Sequence, residues 1–554
     1  MNWIFNSRNA IPRHHIHPKA LSVRRVRLVL ALILAALLPL AACSSDSTSG
    51  GTGDTLTVAM ETGPQTWAPS QSGNKVAPIL KQMSDSLLTR DDEGQVAPML
   101  ATSWDVSEDG KTWTFNLRDD VKFQGGWGDL TADDVKYSWG EWMRPDSTHI
   151  QALQLTQLLG GDINNFEVVN AHQFKLHLPQ PDYDVAEALL YPSNSLFITS
   201  KKYHEEDPDA DKKPIGTGPW EFVSGVAGVE VRMKANKDYW GPKPAYENLV
   251  IKDVPDSSAR LTQLQGGQLD ISPVDSNLLE EAKNAGAQVK VFPDIATLQV
   301  IFGGMYYGDP ALDRNSPWIQ ADDPQRGLAI REAMSLAIDR KLILDTVLGG
   351  HGDLTYAPLV QYDSNPATID PTWQLPEFDL AKAKAKLAEG GYPNGFPVTM
   401  FLYPDDVDTV GVAQAIAGMW EDLGLQVKQR SADENALDEL LAKKATGGYV
   451  WVKQAGWDPI TVALGLYSSK RTDGDYKMFH PAIDQGLDDY RNAKTTDQKM
   501  AVVRDVLTKL RDDMAMISLF DVDLPVLVGP KVGGWDPVPG DKELNALNTV
   551  SRAD

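Results

Sequence analysis

"GTGPW" at Gly216–Trp220, followed by "NKDYWGPKP" at Asn236–Pro244, is the pair of segments on which the reading of this chain turns. Gly216-Thr217-Gly218 begins like a dinucleotide-binding loop, but Glu221 stands where a third glycine is needed. The continuation "PWEFVSG" reads as a strand, not as the helix whose N-terminus would hold a phosphate. The two glycines therefore serve a tight turn or a close backbone approach. Tyr239 and Trp240 read as packing anchors rather than ligand contacts.

Outward from these segments, strands and helices mix without a regular repeat. In "KTWTFNLR", Trp113, Phe115 and Leu117 alternate with polar residues, the period of a half-buried strand, after a turn at Glu108-Asp109-Gly110. "HQFKLHL" repeats the pattern through Phe174, Leu176 and Leu178. Ile330, Ala333, Met334, Ala337 and Ile338 lie at helical spacing. Asp379 is an expected N-cap for a helix over 380–389, closed by Gly390 and Gly391. The class is α/β or mixed α+β in several domains.

At the N-terminus, Arg24, Arg25 and Arg27 precede an apolar run from Leu28 to Leu40. That run is about 13 residues, short of the ~20 a transmembrane helix needs, and it fits an export signal. Leu40-Ala41-Ala42-Cys43 resembles the bacterial lipoprotein box, in which the cysteine is acylated and becomes the new N-terminus. Cys43 is the only cysteine, so no internal disulfide exists. Residues 1–42 are expected to be a signal peptide and 43–53 a Ser/Gly-rich tether. The protein is then expected lipid-anchored on the outer face of the cytoplasmic membrane. The export route stays open between the general and twin-arginine systems.

Cleavage removes six Lys/Arg and no Asp/Glu, leaving 46 basic against 76 acidic residues, a net charge of −30. So acidic a surface is repelled by nucleic acid, which excludes that class of partner. With 42% hydrophobic residues the chain can bury a large core. No nucleophile elbow, zincin helix or phosphate loop occurs. Ser72-Gly73-Asn74-Lys75 matches S-x-x-K, but no K-T-G follows. His14, His15 and His17 fall in the segment to be cleaved, and the other histidines are scattered singly. Neither an enzyme nor a metal or cofactor site is expected.

"GTGPW" with "NKDYWGPKP" resembles the signature of the family 5 extracellular solute-binding proteins, the dipeptide and oligopeptide-binding group of ABC importer receptors. "ATSWDVSEDGKTWTFNLRDDVKF", "LTADDVKYSW", "RLTQLQGGQLDIS", "AIREAMSLAIDRKLI", "FDLAKAKAKLAEGGY" and "EDLGLQVK" agree in the family's order and span nearly the whole mature chain.

The resemblance implies a two-lobe periplasmic-binding-protein-like fold of type II with a hinge, and an extra α+β domain inserted in the first lobe. Lobe one would comprise 54–99, 214–294 and 516–554, the extra domain 100–213, and lobe two 295–515. Hinge strands are expected near 291–299 and 516–523. Lobe closure around a solute would present the closed form to membrane permease subunits, with the receptor a monomer. In peptide-binding relatives an aromatic segment supplies a tryptophan beside the ligand, with a carboxylate nearby for the peptide's amino group. Here "YVWVKQAGWDPI" offers Ala455, Gly456 and Trp457, with Asp458 the only acid at hand and the spacer shortened. Further ligand-binding positions implied along the cleft are Asn74, Lys75, Ala296, Thr297, Phe520 and Asp521. An oligopeptide is expected ahead of an oligosaccharide or another small solute. The competing class is an exported lipoprotein hydrolase.

Overall fold

The alternation through Trp113, Phe115 and Leu117 forms the strand Thr112–Leu117, with those three side chains buried. It pairs antiparallel with Ala101–Val106 and Gln173–His177, and the latter with Phe166–Asn170, giving a four-stranded sheet. Phe115, Phe174 and Phe166 stack in series at 5.1 and 4.4 Å between ring centroids. Trp139, from the helix Ala132–Trp142, meets Phe166 edge-on. This sheet has a hydrophobic cluster of its own, from Leu87 to Ile198. The computed structural model describes residues 54–61, 67, 77–91, 95–147, 152–190, 196–359, 370, 372–402, 408–431, 434–455, 464–465, 467–470, 477–535 and 544–553.

A second, eleven-stranded mixed sheet runs through the rest of the chain. Its order is Gln426–Ser431, Pro397–Leu402, Tyr449–Ala455, Gln288–Phe302, Met516–Val528, Ile271–Pro273, Thr55–Met60, Asn248–Asp253, Glu230–Ala235 and Trp220–Val226. The short strand Asp353–Leu354 adds to Met516–Val528. Gln288–Phe302 and Met516–Val528 are about twice the length of an ordinary strand, because each belongs to two halves. Val526–Val528 pairs with Lys290, Val289 and Gln288 on one side and with Ile271–Pro273 on the other. Further along, Thr297–Ile301 keeps Met516–Asp521 on one side, and Thr297–Phe302 has Val450–Ala455 on the other. The ladder between the two long strands breaks from Phe292 to Ala296, where the flanking strands change over. The chain passes from one half of the molecule to the other at that break. Both expected hinge segments fall on these strands.

A second irregularity leaves Leu519 as an extra residue, since Leu298 faces Phe520 and Gln299 faces Ser518. A bulge leaves ladder carbonyls without strand partners. Here Arg340 Nε donates to the Ser518 carbonyl at 3.0 Å, and the Thr355 N–H to that of Leu519 at 3.3 Å. The remaining Arg340 bonds go to oxygens of Ser335. Full burial pushes its guanidinium down to about 10.

The expected helices form for the expected reasons. Asp379 accepts from the Lys382 N–H at the head of Leu380–Glu389, and Gly390 follows. Ile330, Ala333 and Met334 are among the buried residues of Pro324–Leu336, while Ala337 and Ile338 of the expected stripe are buried just past its end. Arg331 of the same helix turns its guanidinium onto the carbonyls of Asp513 and Trp318. The first of these closes the C-terminus of the helix Thr496–Asp512. Among the described residues no helix is long and apolar enough to cross a membrane.

Candidate functional site

The two signature segments converge on one fully buried carboxylate, Asp85. Its Oδ2 accepts from Thr217 Oγ1 at 2.8 Å and from the Trp240 indole at 2.8 Å, and its Oδ1 from the Tyr239 hydroxyl at 3.1 Å. Burial pushes the Asp85 carboxyl up, and the bonds from Trp240, Thr217 and Tyr239, with the charge of Arg118, oppose that rise. The Arg118 guanidinium lies 4.4 Å from the Trp240 ring centroid, a cation–π contact. Gln124, buried beside them, donates to the carbonyls of Met83, Gly218 and Trp220 and accepts from the Gly216 N–H. A Cβ on Gly216 would meet Ser84 Oγ at 1.8 Å, and one on Gly218 the Met83 carbonyl carbon at 2.5 Å. The glycines thus permit a close backbone approach, and Tyr239 and Trp240 are anchors. Together these contacts fasten the segment that carries the four-stranded sheet to the edge of the large one.

The candidate ligand positions divide into two groups. Five come together where the long strands cross. Ala455, Thr297, Asp521 and Asp353 form one row across four adjacent strands, with Ala296 and Phe520 on either side of it. Within the row Thr297 Oγ1 donates to Asp521 Oδ1 at 2.6 Å. Ala296, Thr297, Phe520 and Asp521 are all buried, Ala296 and Phe520 within the main hydrophobic cluster. One step along, Gln299 donates to the Tyr467 hydroxyl at 3.1 Å and accepts from the Leu359 N–H at 3.3 Å. Sequence reading missed this pair, because nothing local marks it. The other candidates, Asn74, Lys75, Gly456, Trp457 and Asp458, lie outside the described residues, as does Cys43.

Asp408 heads the helix Thr409–Leu423 in a left-handed conformation (φ 64°) that few non-glycine residues adopt. Its carboxylate accepts from the Ser276 N–H at 3.1 Å and from Ser276 Oγ at 2.8 Å, so it links the two halves of the chain. Burial pushes it up to about 7, and the neighbouring Asp275 adds to the rise. No group of three or more His, Cys, Asp or Glu among the described residues is placed to hold a metal ion.

Residues 95–488 match the family described as the bacterial extracellular solute-binding proteins, family 5. The nickel-binding periplasmic protein of Escherichia coli K12 is 24% identical over 93% of this chain and 98% of its own. Di/tripeptide-binding protein 1 of Pseudomonas aeruginosa is 28% identical over 73% of this chain and 76% of its own. The solved structure of NikZ from Campylobacter jejuni in complex with Ni(L-His) superposes with a TM-score of 0.74 at 20% identity. The superposition covers 90% of this chain and 99% of that one. The fold is that of the two-lobe, type II periplasmic binding proteins. With a family match over most of its length, the chain belongs to family 5 of the bacterial extracellular solute-binding proteins.

Proposed function

We propose that this family 5 receptor of an ABC importer is lipid-anchored through Cys43 and captures an oligopeptide-like solute between its lobes. The observation that carries the reading is the pair of long strands whose ladder breaks where the chain changes lobes. A break there allows one lobe to rotate against the other about few backbone angles, which is hinge closure. A solute that touches both lobes favours the closed state, because only that state offers both sets of contacts. The lobes are proposed to divide at residues 99, 213, 294 and 515, with 100–213 the inserted domain. Trp457 follows the strand Tyr449–Ala455 by two residues and is proposed as the aromatic wall of the cleft, with Asp458 beside it. Ala455 and Gly456 would continue that wall. Asn74, Lys75, Ala296, Thr297, Phe520 and Asp521 are proposed to border the same space. A di/tripeptide-binding relative of similar length supports a peptide. The absence of a nucleophile–base motif from the sequence, and relatives that are solute-binding proteins, support a role without catalysis.

The test is mass spectrometry of the solute released on denaturing the purified protein, followed by titration of that solute against Trp457→Ala. Short peptides near molar equivalence, with affinity falling at least tenfold in the variant, are the expected result. An oligosaccharide or a metal chelate in their place would overturn the peptide assignment.

A further inference from the structure

Asp184 sits on the loop after the strand Gln173–His177, on the side of the four-stranded sheet. Lys499 and Tyr490 belong to a pair of packed helices, Pro481–Asn492 and Thr496–Asp512, on the far side of the hinge strands. Lys499 Nζ lies 2.8 Å from Asp184 Oδ1, and the Tyr490 hydroxyl donates to Asp184 Oδ2 at 2.8 Å. The Lys499 and Asp184 side chains are only 9% and 19% exposed. At the rim Arg491 reaches Gln157 Oε1 at 3.5 Å.

Both faces of this contact are built before they meet. The Asp184 N–H donates to Asp182 Oδ1, the Trp113 indole to the Asp182 carbonyl, and the Asp182 N–H to the Gly110 carbonyl. The Tyr183 ring covers Gly110, and its hydroxyl donates to the Glu108 carbonyl. The loop is therefore pinned to the sheet. On the other face, Gly486 lets the two helices approach within reach of Val506. Lys499 stands in the first turn of its helix, behind the Thr495–Gln498 capping box. A cation there opposes the helix dipole, and burying an ammonium without a partner is costlier still. The Tyr490 ring, 5.3 Å from Lys499 Nζ, offsets part of the burial as a cation–π contact, and Asp497 lies in the same first turn. The carboxylate that pairs with the ammonium directly is Asp184, from the other lobe.

We propose that Asp184, Lys499 and Tyr490 form a clasp that holds the lobes together in the absence of solute and so sets the open–closed equilibrium. The clasp rests on the two-lobe closure reading. A buried ion pair is a poor source of net stability, but removing one partner leaves the other charge unpaired and buried when the lobes are closed and solvated when they open, so the closed arrangement alone depends on both. By mass action, a receptor already partly closed loses less affinity to its open population.

The test uses the full chain with Cys43→Ser, nitroxide labels at Val169→Cys and Ala501→Cys, and solute removed by partial unfolding and dialysis. Val169 and Ala501 are exposed, one on each side of the contact. Electron-spin distance measurements compare this protein, its Lys499→Met variant and its Tyr490→Phe variant, each with and without a tryptic digest of casein. Lys499→Met is expected to raise the long-distance population at least tenfold without the digest. Tyr490→Phe, which loses one hydroxyl and keeps the ring, is expected to give a smaller shift. If the digest moves the distance in the parent while both variants match the parent, the clasp is refuted and lobe closure stands. If neither the digest nor either variant moves the distance, lobe closure itself fails. Circular dichroism separates opening from unfolding, and Tyr490→Phe decides the matter if Lys499→Met does not fold.

Discussion

Replacing Asp408 by asparagine should make the protein more stable at neutral pH, although it removes a charge from the head of a helix. The Asp408 carboxyl titrates at about 7, against 3.8 when unperturbed. Between those values the folded chain holds a proton that the unfolded chain has released. Stability therefore falls as pH rises through this window and levels off above 7. A shift of that size corresponds to about 4 kcal/mol at 1.36 kcal/mol per pH unit. Asparagine abolishes the penalty and tolerates the left-handed backbone of Asp408. Its carbonyl can accept from the Ser276 N–H, while its amide donates to Ser276 Oγ, whose hydroxyl turns to donate elsewhere. Loss of the helix-dipole term takes back up to ~1 kcal/mol, leaving a gain of about 3 kcal/mol. Urea unfolding of both proteins from pH 4 to pH 8 tests this. The difference should start near its acid baseline and climb to its plateau above pH 7. A flat difference curve, or a variant that loses ground as pH rises, would show that Asp408 does not carry a buried proton.

Three further outcomes follow from the packing and the N-terminal box. Gly218→Ala pushes a Cβ into the backbone of Met83 and Ser84, neither of which can rotate aside. It should cost at least the 1–3 kcal/mol of ordinary overpacking, read as a lowered thermal midpoint. Gly418→Ala, inside the helix Thr409–Leu423 with nothing within 4 Å of the new carbon, should instead gain about 0.5–1 kcal/mol. Cys43→Ser should release the protein from membranes into the medium. A variant that still pellets with membranes after a salt wash removes the lipid anchor through this residue.

What the sequence made legible was local. Asp379 and its helix, and the alternation around Phe115 and Phe174, are fixed by residues within a few positions of each other. The long strands were approached through family resemblance, and their ladder break lies within the stretch anticipated. The partners of Asp85 were not legible, because Thr217, Tyr239 and Trp240 are 132 to 155 positions away. "QMSDSLLT" around it has no pattern that marks a buried carboxylate. Asp408 and Ser276, also 132 positions apart, escaped for the same reason. Lys499 left one faint signal, a cation in the wrong turn of its helix, which becomes readable only once its partner is known.

The polar groups of the signature are consumed by the scaffold, and that constrains where a solute can be read. Both Asp85 oxygens are occupied by donors from the motif. Gln124 spends its amide on three carbonyls and its oxygen on a backbone N–H. Groups so engaged have nothing left to offer a ligand, and exchanging any of them would strand buried partners at a cost of ~1–3 kcal/mol each. These letters therefore serve the frame whatever the solute, because they fasten the segment carrying the four-stranded sheet to the large sheet. Solute chemistry has to be written in side chains that the frame does not use. In this chain the proposed place for it is past the end of the strand Tyr449–Ala455, at Trp457 and Asp458.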